Sequence, residues 1–83
     1  SLPDISILED QKVKIFPNPF IADFEIESKG AFSYVVIDAQ GKTVAEGVGQ
    51  NRKHVSEISN PGIYSIRVNS DKGLSVKKIL KVQ

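Results

Sequence analysis

Cysteine and tryptophan are absent from this 83-residue chain, and histidine occurs once, at His54. The lack of cysteine excludes disulfides, thiol catalysis and thiolate metal sites. A lone histidine beside Arg52 and Lys53 is most simply a surface residue, so we assign it no catalytic or metal-binding role. Of the residue types that often carry catalysis, cysteine is therefore absent and histidine occurs only once.

Long apolar runs and a strong net charge are missing as well. No run approaches the roughly 20 residues that a membrane-spanning helix needs. The net charge is +1, with both signs interspersed, which gives no reason to expect nucleic acid or an anionic membrane as a partner. The N-terminus lacks the basic and apolar regions of a signal peptide, and it begins at Ser1 without methionine. We therefore expect a fragment of a longer protein whose export signal, if it has one, lies upstream.

Short apolar runs bounded by turn residues fill most of the chain. Phe24 and Ile26 alternate with acidic residues, which is the period of a strand with one buried face. Residues 32–37 form a nearly continuous apolar run that is typical of a central strand. Ser28-Lys29-Gly30 is predicted to turn the chain, residues 50–53 to form a polar loop, and Gly47 to mark a bulge. The predicted strands cover residues 12–16, 23–27, 32–37, 42–48, 55–58, 64–69 and 74–82.

About seven short strands without any helical period predict an all-β domain, a small antiparallel immunoglobulin-like β-sandwich. It would not be an antibody-type domain, because the Cys…Trp…Cys core is missing. We assign residues 12–83 to this domain and residues 1–11 to a linker from an upstream domain. A further short strand from Ile5 to Leu8 is a weaker alternative for part of that lead-in.

The last predicted hairpin follows an Asn-Pro-Gly turn at residues 60–62 and runs to the end of the chain. Its final strand places Lys78 in one row with four apolar residues, and we expect this row to face inward. In one interpretation Lys78 is an inward charge that discourages aggregation, with its stem snorkelling to solvent. In the other, Lys77, Lys78 and Lys81 present a basic, partly unpaired strand to a receptor. The apolar members of the row are Leu74, Val76, Leu80 and Val82.

No residue set predicts catalysis, a cofactor or a metal site. Asp23, Glu25 and Glu27 form an acidic row that we interpret as a solvated strand face, because paired carboxylates need a pocket to act as acid and base. Asp38 and Asp71 could each bind calcium, but neither belongs to a spaced carboxylate set. The glycines at 30, 41, 62 and 73 fall at predicted turns and form no phosphate-binding loop.

Three motifs occur in a fixed order: Val-Lys-Ile-Phe-Pro-Asn-Pro at 13–19, Ile-Asp-Ala-Gln-Gly-Lys at 37–42, and Pro-Gly-Ile-Tyr-Ser-Ile-Arg-Val at 61–68, before a terminal strand with two adjacent lysines. This ordered set resembles the C-terminal sorting domain of type IX secretion substrates of the Bacteroidetes. The positions that match the pattern of the family, and that we take as its recognition motif, are Pro17, Asn18, Pro19, Asp38, Gly41, Lys42, Gly62, Tyr64, Lys77 and Lys78.

The resemblance implies a non-catalytic secretion signal at the end of a larger protein. Its partners would be the outer-membrane translocon, a sortase-like cysteine peptidase and the attached cargo. The cargo would pass through the periplasm to the cell surface, where the peptidase removes the domain upstream of Val13 and joins the cargo to lipopolysaccharide. On this interpretation Gln83 lies at or near the natural C-terminus. The terminal strand would bind a receptor by β-augmentation, and in isolation the same edge would favour a homodimer by edge pairing or strand swapping.

The competing hypothesis is an immunoglobulin-like accessory module for carbohydrate binding, adhesion or spacing. Sugar binding by stacking requires exposed aromatic side chains. The chain has only two tyrosines, Tyr34 and Tyr64, and four phenylalanines, most of them at predicted core positions. A small enzyme or inhibitor is disfavoured by the absence of any catalytic constellation.

Overall fold

The fold is known from a computed structural model, which describes residues 13–82. The lead-in at residues 1–11 and the alternative strand at residues 5–8 lie outside the described residues. All of the regular structure described is β, and all strand pairs are antiparallel. The described part of the chain contains no helix long and apolar enough to cross a membrane. The strands are β1 (Val13–Phe16), β2 (Phe24–Ile37), β3 (Thr43–Val55), β4 (Gly62–Ser70) and β5 (Gly73–Lys81).

The long strand β2 organises the sheet. Its first part, residues 25–28, pairs with β1, and its last part, residues 32–37, pairs with β4. Along its other edge, β2 pairs with β3 over nearly its whole length. β5 pairs with β4, and an isolated parallel bridge between Phe20 and Lys81 connects the segment after β1 to the outer edge of β5. The sheet therefore curls until its first and last strands meet.

Five strands form where the sequence predicted about seven. The predicted strands 23–27 and 32–37 are continuous in β2, whereas the predicted strand 55–58 is wrong, since β3 ends at Val55 and residues 56–58 are not in a strand. The predicted turn at Gly30 is a bulge within β2, and the predicted polar loop at 50–53 is part of β3. Gly30 and Asn51 both have positive φ, +86° and +67°. The Asn51 side-chain oxygen accepts a hydrogen bond from the Gly30 amide at 2.8 Å. This bond holds Gly30 of β2 against Asn51 of β3. The β2–β3 hairpin therefore bends at this point, and both strands continue beyond it.

Gly47 is not a bulge, since it pairs in register with Tyr34. Its role, and that of Gly49, is to leave room for aromatic rings on β2. A Cβ atom at Gly47 would lie 2.9 Å from the Tyr34 hydroxyl, and one at Gly49 would lie 2.7 Å from the Phe32 ring. The rings of Phe32 and Tyr34 therefore pack over the backbone of β3.

The hydrophobic core lies inside the curl of the sheet. On β2, Phe32, Tyr34 and Val36 are buried as one row, while the opposite row is exposed or only partly covered, so this strand is not covered on both faces as a central strand would be. Phe20 and Phe24 meet edge to face, with ring centroids 4.9 Å apart. The buried apolar residues are Val13, Phe20, Phe24, Ile26, Phe32, Tyr34, Val36, Val55, Ile58, Tyr64, Ile66, Val68 and Ile79.

The predicted orientation of the last strand is wrong. Residues opposite each other in a sheet share a face, and Tyr64, which is buried, lies opposite Ile79. The buried row of β5 is therefore Ser75, Ile79 and Lys81. The predicted inward row is exposed, and Lys78 with it, so Lys78 is not an inward charge. The exposed fractions of its apolar members are Leu74 61%, Val76 51%, Leu80 40% and Val82 37%.

Candidate recognition site

The Pro-Asn-Pro motif follows β1 directly and bonds to the last strand. The peptide bonds that precede Pro17 and Pro19 are both cis. The side-chain amide of Asn18 donates to the Lys78 carbonyl at 3.4 Å, and the Leu80 amide donates to the Asn18 side-chain oxygen at 3.0 Å. One side chain thus satisfies both an acceptor and a donor on the edge of β5. We call this pair of bonds the Asn18 clamp.

Phe20 continues the contact along the same edge. Its amide donates to the Leu80 carbonyl at 2.9 Å, and its carbonyl accepts from the Val82 amide at 2.8 Å. The outer edge of β5 from Lys78 to Val82 is therefore occupied from within the domain. Among residues 13–82, no backbone bond reaches the outer edge at Leu74 and Val76, so the unpaired part of the terminal strand is its first half.

The second motif closes the hairpin between β2 and β3, as predicted. The Asp38 carboxylate accepts hydrogen bonds from the amides of Gln40 and Lys42, both at 2.9 Å. Gly41 has a φ of +88°, which glycine adopts without strain, and its amide donates to the Asp38 carbonyl at 3.0 Å. Asp38 and Gly41 thus shape the turn, while the Lys42 side chain is exposed.

The third motif fixes the turn before β4. The buried Tyr64 donates its hydroxyl hydrogen bond to the Asn60 carbonyl, and Gly62 between them has a φ of +144°. Lys42 and Tyr64 line one shallow cleft of about 300 Å³. The structure therefore brings the second and third motifs together, and the first motif to the terminal strand.

The three lysines of the terminal strand do not share one face. This corrects the interpretation in which Lys77, Lys78 and Lys81 together present a basic strand to a receptor. Lys77 and Lys78 point to opposite faces of β5, because successive side chains alternate. Lys81 lies on the same side as Lys77 and is only 8% exposed. Of the three, only Lys78 is exposed, on the side of β5 that points away from the core.

A cross-strand charge cluster was missed from the sequence. The acidic residues around the start of β2 face Arg52 and His54 on β3, of which Arg52 lies in the segment that was predicted as a loop. His54 Nε2 lies 2.9 Å from Asp23 and its Nδ1 lies 3.4 Å from Glu25, while Arg52 lies 3.2 Å from Glu25 and 3.6 Å from Glu27. The charges on both strands are visible in the sequence. They indicate a cluster only when it is known that the two strands pair antiparallel.

The electrostatics of this cluster follow from its geometry. The hydrogen bond to Glu25, and then that to Asp23, raise the pKa of His54 above its usual value. One carboxylate oxygen of Glu25 is shielded from solvent without a well-aligned hydrogen bond, and Arg52 supplies its counter-charge. The Arg52 guanidinium also lies 5.7 Å from the centre of the Phe16 ring. The cluster ties β1, β2 and β3 together at the surface.

No arrangement for catalysis or metal binding emerges from the described residues. Within residues 13–82, no group of three or more His, Asp or Glu is placed to hold a metal ion. A cleft of about 510 Å³ lies beside the first residues of β1 and β5 and is lined in part by Val13 and Leu74. Its polar lining comes mainly from lysine and serine side chains, with no paired base and nucleophile.

The fold and the motifs define a small all-β module in which the motif residues close turns and fix the edge of the last strand. A family model described as the secretion system C-terminal sorting domain matches residues 14–82. The chain therefore belongs to this family of type IX secretion signals, which are non-catalytic. Membership implies export to the cell surface or the extracellular space, with the type IX system and an upstream cargo as partners. A search of the curated proteins found no match.

Proposed function

We propose that the outer-membrane translocon recognises this domain in its folded form, while the domain and its cargo are in the periplasm. The observation that carries the proposal is the Asn18 clamp. It joins the first motif of the family to the terminal strand, which is 60 residues away in the chain. Motifs that are far apart in the sequence thus contribute to one folded structure. A receptor that binds the folded domain would therefore depend on all of them.

The recognition residues divide into two roles. Lys42 and Lys78 have exposed side chains, and we assign them direct contact with the receptor. The other motif residues position the surface: Asn18 and the flanking prolines hold the edge of β5, Asp38 and Gly41 shape one turn, and Gly62 and Tyr64 shape another. Lys77, which is partly buried on the inner face, supports β5 from the inside.

We further propose that a sortase-like cysteine peptidase removes the domain after export and joins the cargo to lipopolysaccharide. The cleavage would fall in residues 1–11, upstream of β1. Cleavage there would leave the sheet intact, since β1 begins at Val13. The readout is the mass of the released domain, whose new N-terminus should lie before Val13.

We also infer that the curled sheet is a reduced version of the immunoglobulin-like sandwich expected from the sequence. The tyrosine bond before β4 supports this inference, since a tyrosine that bonds the backbone a few residues upstream occurs in such folds.

In isolation, a homodimer would form through the outer edge of β3, which has no strand partner among residues 13–82.

A carbohydrate-binding role finds little support. Five of the six aromatic residues are buried, and the ring of Phe16, 37% exposed, lies beneath Arg52. A sugar-stacking platform needs free aromatic faces.

The proposed function is tested by truncation. A cargo fused to the whole chain should be exported, and deletion of residues 78–83, which removes half of β5, should abolish export. The matched control deletes the same number of residues from the lead-in, at positions 3–8, outside the described residues. Continued export by the 78–83 deletion would contradict recognition of the folded domain.

A further inference from the structure

The face of β4 and β5 that points away from the core carries an apolar surface. Leu74, Val76 and Leu80 from β5, and Val82 directly after it, are joined by Ile63 from β4, which is 55% exposed and lies directly opposite Leu80. Opposite residues in an antiparallel pair have closely spaced side chains. The apolar groups therefore form a continuous patch. We call it the outer face, and it comprises Ile63, Arg67, Leu74, Val76, Lys78, Leu80 and Val82.

Two cations lie within this patch. Arg67 is opposite Val76 and Lys78 is opposite Ser65, which makes Arg67 and Lys78 diagonal neighbours. Neither has an ion-pair partner among residues 13–82, where the pairs formed involve Arg52 and His54. Glu46 is on the same side of the sheet as Arg67, but the whole width of β2 separates them. The positive charges of Arg67 and Lys78 repel each other at this distance, and a carboxylate bound near both would offset the repulsion.

We propose that the outer face is the docking surface for a protein of the type IX machinery whose own surface is apolar and carries carboxylates opposite Arg67 and Lys78. This inference rests on the proposed function and adds the surface and the chemistry of the partner. Burial of the valine, leucine and isoleucine side chains supplies affinity, and the two cations fix the orientation. The sequence-derived motif contained only Lys78 of these residues.

Other occupants fit this surface less well. A second copy docked face to face about a two-fold axis would bring together two pairs of cations that have no ion-pair partner among residues 13–82. A lipid surface would be matched by aromatic side chains at its polar boundary. The outer face contains none, because all six aromatic residues lie elsewhere in the fold.

The test compares export of a fluorescent cargo fused to variants of the chain. One variant removes the apolar groups (Val76→Ser with Leu80→Ser) and another reverses the charges (Arg67→Glu with Lys78→Glu). The control for the first is Val48→Ser, which is 72% exposed on β3. The control for the second is Lys29→Glu with Lys72→Glu, the same change in net charge at exposed positions outside the outer face. Export by each outer-face variant should fall by about tenfold or more, as for loss of interface hot spots, while the controls retain export.

A photo-crosslinking residue at Val76 provides a measurement that does not depend on variant folding. In cells, it should crosslink to a protein component of the translocon, whereas the same residue at Val48 should not. Wild-type export that persists in both outer-face variants would overturn this inference and the receptor contact assigned to Lys78, and would leave recognition of the folded domain standing. Failure of the wild-type chain to export cargo would overturn the proposed function itself. Charge-dependent binding to phosphatidylcholine vesicles containing phosphatidylglycerol, or a crosslink to a second copy, would overturn the protein partner.

Discussion

The side-chain oxygen of Asn18 accepts a hydrogen bond from the backbone amide of Leu80 at 3.0 Å, while the amide group of the same side chain donates to the carbonyl of Lys78. An asparagine side chain carries the same donor and acceptor as a peptide unit. Asn18 therefore acts as one more residue of a neighbouring strand, at a place where the cyclic side chains of Pro17 and Pro19 supply no amide donor.

Replacement of Asn18 by leucine should lower the free energy of unfolding by about 1–3 kcal/mol, because two exposed hydrogen bonds worth about 0.5–1.5 kcal/mol each are lost. Asn18→Asp should cost less, since it keeps the acceptor for the Leu80 amide. Urea denaturation of the isolated domain measures both. Equal losses for the two variants would contradict a role for the acceptor.

Tyr64→Phe should lower the stability by about 1 kcal/mol through loss of the hydrogen bond to the Asn60 carbonyl. For a domain of this size, that corresponds to a fall in Tm of about 4–8 °C. Tyr34→Phe is the control, because the Tyr34 hydroxyl forms no hydrogen bond within residues 13–82. A larger fall for Tyr34→Phe in thermal unfolding would show that the bond to Asn60 contributes little.

Gly49→Ala should destabilise the domain by about 1–3 kcal/mol, as overpacking does. The added methyl group would lie 2.7 Å from the Phe32 ring and 2.8 Å from the Cβ atom of Lys53, and neither can move without shifting β2 or β3. Gln50→Ala on the exposed side of the same strand should change the stability little. Chemical denaturation of both variants decides the point, and an unchanged Gly49→Ala midpoint would refute the close approach.

The stability of the domain should depend on the protonation of His54. Hydrogen bonds to Glu25 and Asp23 raise its pKa in the folded state, so the contribution is fully present below the unfolded pKa of about 6.5 and is lost as pH rises through the folded pKa. Between pH 5.5 and pH 8.5, the urea midpoint of His54→Gln should therefore change less than that of the wild type. NMR titration of the imidazole measures the cause directly, and a pKa at or below 6.5 would contradict the cluster. Added salt should weaken the effect, since the groups are exposed.

The sequence predicted the all-β class, the hairpin at Asp38 and the turn at Asn60, because Gly, Pro and Asx residues act locally. It did not predict the continuity of β2 and β3. Taken alone, Gly30 and residues 50–53 each indicate a loop. The hydrogen bond between Gly30 and Asn51 across the hairpin makes this region a bend within two continuous strands.

The orientation of β5 also could not be predicted from its own sequence, because it depends on the strand with which β5 pairs. The row from Leu74 to Val82 is the more apolar of the two, so a strand considered alone predicts that it faces inward. Pairing with β4 decides otherwise, since Tyr64, Ile66 and Val68 bury the opposite row of β5. The misassigned row is part of the outer face, and an exposed apolar patch of this kind is typical of an interaction site.

The most direct test of the central claim is the location of a fluorescent cargo that carries a signal peptide and is fused to this chain at its C-terminus. The host is a type IX-competent member of the Bacteroidetes, compared with a translocon mutant of the same strain. We expect cargo at the cell surface or in the medium of the competent strain and in the periplasm of the mutant. Cargo in the periplasm of both strains would contradict that claim.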